Sequence, residues 1–119
     1  MYSPELLDHF QNPRNAGEIP DADASAQVEN PVCGDILKLT IKIDGPRIAE
    51  VRFLAKGCVP VMACGSAVTE LATGRAMVEA KAIRREDVIA KVGGVPETST
   101  HAAVLAIDAL RAALKKIEA

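Results

Sequence analysis

Leu37, Leu39, Ile41 and Ile43 alternate with Lys38, Thr40 and Lys42, the two-residue period of a strand with one buried face. Asp44-Gly45-Pro46 then turns the chain, and Val51 and Phe53 alternate with Glu50 and Arg52 to complete a β-hairpin. Ser25 to Glu29 predicts a weaker edge strand. The period changes on either side of the hairpin. Ser3-Pro4-Glu5 is a helix start with a capping serine, proline at the first helical position and an acid in the first turn. Leu6, Leu7 and Phe10 form its apolar face, and Asn12-Pro13 stops it. Arg14 to Asp23 reads as loop. Pro60 opens a second helix with the stripe Val61, Cys64, Val68 and Leu71, ended by Gly74. Arg85 to Val92 is a short helix closed by Gly93-Gly94. A final helix begins near Thr98 to Thr100 and buries Ala103, Ile107, Leu110, Leu114 and Ile117, with Asp108, Arg111 and Lys115 facing water. Strands in the first half and helices in the second predict an α+β fold: a small three-stranded antiparallel sheet with helices packed on one face.

At 119 residues the chain is expected to be one domain, 1–119, with an ordinary core. Aromatics are only 3 %, so that core must be built from Ala, Val, Leu and Ile. A net charge of −2 gives no case for nucleic acid or a membrane surface. There is no signal-like N-terminus and no stretch near the ~20 apolar residues of a membrane span, so a cytoplasmic protein is expected. Three cysteines with no close pair argue for reduced thiols and against a disulfide framework.

The chemistry concentrates at two of those cysteines. Cys33 lies in Pro31-Val32-Cys33-Gly34-Asp35 and Cys58 in Lys56-Gly57-Cys58-Val59-Pro60, both loop settings punctuated by glycine and proline. The intervening hairpin returns the second loop towards the first. Each alone also suits a buried structural cysteine, but together, with a carboxylate two residues beyond Cys33, they suit a metal site better. Cys58 precedes a helix and follows Lys56, a setting expected to lower its thiol pKa and favour thiolate. Asp35 is either an oxygen ligand or a solvated turn carboxylate. His101, in the first turn of the last helix, is a candidate ligand kept neutral by the helix dipole. His9 reads as structural or surface. Cys64 fits the buried stripe, yet lies only ~6 Å along the axis from Pro60, which leaves room for a role at the site.

These residues resemble the U-type iron–sulfur cluster scaffolds, IscU and the N-terminal domain of NifU. The resemblance runs through Tyr2-Ser3, Asp8-His9-Phe10, Asn12-Pro13-Arg14-Asn15, Pro31, Cys33-Gly34-Asp35, Gly57-Cys58, Val68-Thr69-Glu70, Gly74, and His101 ahead of Ala106-Ile107-Asp108-Ala109. It implies a non-enzymatic scaffold that builds a labile [2Fe–2S] cluster on three cysteines, takes sulfur from a cysteine desulfurase and passes the cluster to apo iron–sulfur proteins. Cys33 and Cys58 match the first two ligands, Asp35 the aspartate linked to lability, and His101 the histidine beside the third cysteine. That third cysteine is replaced by Ala102. The chaperone motif is poorly matched at Val95-Pro96-Glu97-Thr98, and Cys64 supplies a third thiol elsewhere. The resulting expectation is a scaffold binding iron, a [2Fe–2S] cluster, or Zn as isolated, through Cys33, Asp35, Cys58 and His101, with Cys64 a candidate third thiolate. The alternatives are a persulfide sulfur carrier on Cys58 and a cluster-less module that docks the same partners.

Overall fold

The structure is a computed structural model and describes residues 2–31 and 33–118; Val32 of the first cysteine loop lies outside the described residues. Its sheet has the order β1(Ala24–Asn30)-β2(Asp35–Asp44)-β3(Arg47–Lys56), antiparallel throughout. Leu37, Leu39 and Ile41 pair with Ala55, Phe53 and Val51, so the apolar sides of β2 and β3 fall on one face. Gly45, with φ +61°, makes the hairpin turn. The register opposes Ile36 to Lys56 and Asn30 to Asp35. The start of β2 therefore lies between the end of β1 and the end of β3, and both cysteine loops emerge there.

Helix α1(Pro4–Gln11) is capped as its sequence dictates, with the Ser3 hydroxyl accepting from the Leu6 N–H. Its buried face differs from the predicted one. Leu6 is buried, but Leu7 is exposed and His9 takes the inner position one turn on. The imidazole is tolerated because its Nδ1 lies 2.8 Å from Ser66 Oγ. The segment after α1 then covers the free edge of β3. Phe53 donates its N–H to Asn15 and accepts from Gly17, which blunts an edge that would otherwise be open to pairing.

Helix α2(Val59–Ala72) is the centre of the molecule. A single apolar stripe was predicted, yet Ala63, Gly65, Ser66, Ala67 and Thr69 are buried along with Val61, Cys64 and Val68, while Leu71 is only half-buried. Small side chains explain this, because neighbours close in on every side. A methyl at Gly65 would lie 2.8 Å from Phe53 Cδ2 and 3.1 Å from Leu37 Cδ1. Two short helices, α3(Met77–Ala80) and α4(Arg85–Lys91), and a 3₁₀ turn (Glu97–Ser99) lead to α5(Thr100–Glu118). Helix α5 packs on β1, β2 and α2, and α2 packs on β3. Both long helices therefore lie on the apolar face of the sheet, as the patterning predicts. No helix among the described residues is long and apolar enough to cross a membrane.

Candidate metal centre

Four elements converge on one carboxylate. Cys33 is exposed in the turn between β1 and β2, which the Gly34 N–H closes onto Asn30 O at 2.7 Å. Asp35, the first residue of β2, is only 2 % exposed. Its Oδ1 accepts from the Cys58 N–H at 3.2 Å, and its Oδ2 lies 3.3 Å from His101 Nε2 and 3.9 Å from Cys58 Sγ. Cys58 is the exposed N-cap of α2, and His101 sits half-buried in the first turn of α5. The sheet register, the end of β3 and the start of α5 thus bring together residues as far apart in sequence as Cys33 and His101.

The sulfur of Cys33, a carboxylate oxygen of Asp35 and an imidazole nitrogen of His101 lie within 4.8 Å of one another. Ligands bound at about 2.0–2.3 Å to one ion are separated by at most about 4.6 Å, so small side-chain rotations bring these donors onto a shared centre. Cys58 Sγ approaches the same carboxylate, 3.9 Å from Oδ2. Two sulfurs, one nitrogen and one oxygen form a donor set suited to Zn²⁺ or to iron with sulfide. Gly57, whose part sequence reasoning missed, makes the arrangement possible. It has φ +152°, and any Cβ there would collide with Asp35 Oδ1.

The electrostatics correct one expectation. The Cys58 thiol is pushed up, not down: burial is the leading cause, and the negative charges of Asp35 and Cys33 add to it. The N–H groups of Val61 and of Cys58 itself pull the other way without prevailing. Loop composition shows the helix N-terminus but not the desolvation or the carboxylate turned towards the sulfur. Cys64, the candidate third thiolate, is fully buried in the core, and burial pushes its thiol up to about 12. Burial is the leading cause, and the Cys58 thiol adds to it. Ala102 is also fully buried, so the packed face of α5 includes the residue before Ala103. A cavity of about 420 Å³ opens between the end of α2 and the α3–α4 segment, lined by Leu71, Arg75, Ile83 and Lys91 among others. It includes none of the converging residues.

Comparison with known proteins agrees with this architecture. The NifU-like N-terminal domain family matches residues 1–119. The chain is 46 % identical over 114 residues to iron–sulfur cluster assembly scaffold protein IscU 1 of Archaeoglobus fulgidus, covering 96 % of this chain and 74 % of that protein. It is 38 % identical over 117 residues to the iron–sulfur cluster assembly scaffold protein IscU of Escherichia coli K12, covering 95 % of this chain and 91 % of that one. The fold matches that of a nitrogen-fixing NifU-like protein (N-terminal) from Brucella abortus, with a TM-score of 0.78 at 19 % identity over 98 % of this chain and 93 % of that chain. The chain belongs to the NifU-like N-terminal domain family.

Proposed function

We propose that this protein is a cytoplasmic scaffold, acting as one domain over residues 1–119, on which iron–sulfur clusters are assembled and from which they are handed on. Cys33 and Cys58 would hold the iron as thiolates, with His101 and Asp35 as weaker nitrogen and oxygen donors. The same set would hold Zn²⁺ when iron and sulfide are absent. The supporting observation is the convergence of Cys33, Asp35 and His101 within 4.8 Å, with Cys58 against the same carboxylate. The names of the relatives agree with it. Sulfur would come from a cysteine desulfurase and the cluster would pass to apo iron–sulfur proteins, so iron and sulfide are cargo and the protein turns nothing over itself.

The residues suit that task. Soft thiolates capture iron and sulfide. Asp35 anchors the Cys58 backbone and steadies His101, which fixes where both groups stand. Being charged and close to both thiols, it also weakens their hold on an anionic cluster. The test is anaerobic loading with iron and sulfide, followed by incubation with an apo-ferredoxin. Transfer of the visible absorption to the ferredoxin supports a scaffold, and a protein that takes up no iron contradicts it.

A further inference from the structure

Resting on that scaffold function, we propose that a groove between α5 and the start of α4 docks an acidic acceptor protein, which receives the cluster from the His101 side. The groove is a hollow of about 350 Å³ lined by Arg84, Arg85, Val104, Ile107 and Arg111 among others. Arg111 also lines a second hollow of about 280 Å³, beside Lys81, Leu114 and Lys115. Ile107 and Leu114 are buried and Val104 is half-buried, while the lysines and arginines are all exposed. The floor is therefore apolar and the rim charged.

That rim is basic in a chain that is not. Lys81, Arg84, Arg85, Arg111 and Lys115 stand against Glu86 and Asp108, whereas the whole chain carries a net charge of −2. Glu86 is already engaged, 2.9 Å from Arg85 and 4.0 Å from Arg84. Arg111 and Lys115 have no hydrogen-bond or ion-pair partner among the described residues, so their charge is open to another molecule. Clustered like charges repel one another, and carboxylates brought by a partner relieve the repulsion and steer its approach. Arginines over an apolar floor suit a protein surface that offers carboxylates around an apolar side chain.

The basic track leads to the metal centre. His101, Val104, Asp108, Arg111 and Lys115 follow at intervals of 3, 4, 3 and 4 residues, so they share one face of α5. Arg111 lies about 15 Å along the axis from His101, within the footprint of an ordinary protein interface. A partner seated on this face meets His101 before any other donor. That imidazole is one of the weaker donors of the scaffold, so an acceptor thiolate replaces it on iron ahead of the cysteines. The acceptor thiol gives its proton to solvent, and no electrons move. A sulfur donor must instead reach a cysteine, and neither Cys33 nor Cys58 is on α5.

The experiment measures binding of a fluorescent, negatively charged apo-ferredoxin to the unloaded chain, and cluster transfer to the same ferredoxin from the loaded chain. Both are read at low and high salt. Parent binding is expected to weaken about tenfold as salt is raised. The double variant Arg111→Glu, Lys115→Glu should bind about tenfold more weakly than the parent at low salt and lose the salt dependence. Its loading with iron and sulfide, which uses neither residue, should match the parent's, while its transfer slows. Asp108→Asn, which removes the groove's own unpaired acid, should bind more tightly. Equal binding by parent and double variant would overturn the inference, and normal loading would leave the scaffold function standing. An RNA oligonucleotide that binds the groove where the ferredoxin does not would also overturn it. Groove-dependent binding by a parent chain that loads no iron would keep the docking site and remove the scaffold function.

Discussion

The Asp35 carboxylate rests against the α-carbon of Gly57, where an added methyl would meet Oδ1 at 2.1 Å and the backbone has φ +152°. That contact carries the end of β3 and the start of β2 past each other closely enough for Asp35 to reach the Cys58 N–H. Gly57→Ala is expected to destabilise the fold by about 1–3 kcal/mol, through overpacking and backbone strain. It should also weaken Zn²⁺ binding, because Asp35 must move away. Calorimetric titration with Zn²⁺ and a denaturant melt check the two effects; unchanged Zn²⁺ affinity would mean that the carboxylate's position is not fixed by this contact.

Asp35 is expected to set how long a cluster stays more than whether it forms. Oxygen is a poor partner for a soft iron–sulfur site, and the carboxylate's charge lies 3.9 Å from Cys58 Sγ. Asp35→Ala should therefore slow the decay of visible absorption in the presence of a chelator. Faster decay in that variant would assign Asp35 to holding the cluster.

A separate device lies between α1 and α2. His9 Nδ1 bonds to Ser66, Nε2 faces Glu70 at 3.8 Å, and Asp8, Arg14 and Lys91 surround the ring. Burial first, then Arg14, lowers the His9 pKa below its ordinary value. The folded state thus binds fewer protons at this site than the unfolded state. Its contribution to stability is complete above the unfolded histidine range, about pH 6.5, and is lost as pH falls from there towards the lowered folded value. Melting temperatures between neutral and mildly acidic pH should fall more steeply for the parent than for His9→Gln. Parallel curves would show that the ring titrates normally.

Much of the fold was legible because its signals are local. The Leu37–Ile43 alternation, the Gly45 turn, the Ser3 cap and the 4-3-4-3 spacing of α5 each need only a few neighbouring residues. The interior of α2 was not legible, since Ala63, Gly65 and Ser66 carry no stripe and are buried by what closes around them. His9 looked undetermined because its partner, Ser66, stands 57 positions away. The candidate centre was named residue by residue, but its organisation around Asp35 was not. That depends on the β2–β3 register, on Gly57, and on His101 arriving 66 positions later. The direction of the Cys58 shift failed for the same reason, as desolvation is a property of the assembled site.

Ala102 offers the most specific substitution. Ala102→Cys adds a thiol beside His101, at the position where the likeness to U-type scaffolds implies one. The site is fully buried, so the sulfur must either find room towards the centre or cost about 1–3 kcal/mol as overpacking. The expected outcome is a longer-lived cluster after anaerobic loading with iron and sulfide. Cys64→Ala, by contrast, should lower stability modestly by leaving a small void and leave cluster yield untouched. A cluster in Ala102→Cys that decays as fast as the parent's would show that position 102 does not face the centre.

The central claim is that Cys33 and Cys58 jointly hold the cargo, and metal content after anaerobic reconstitution tests it most directly. Parent, Cys33→Ala and Cys58→Ala proteins are loaded with iron and sulfide, desalted, and assayed for iron, sulfide and visible absorption, with circular dichroism to confirm the fold. Both thiols are exposed loop groups with little packing to lose, so both variants are expected to stay folded. The parent should retain stoichiometric iron and sulfide, and each variant should lose them. Full retention of iron and sulfide by both folded variants would contradict the account.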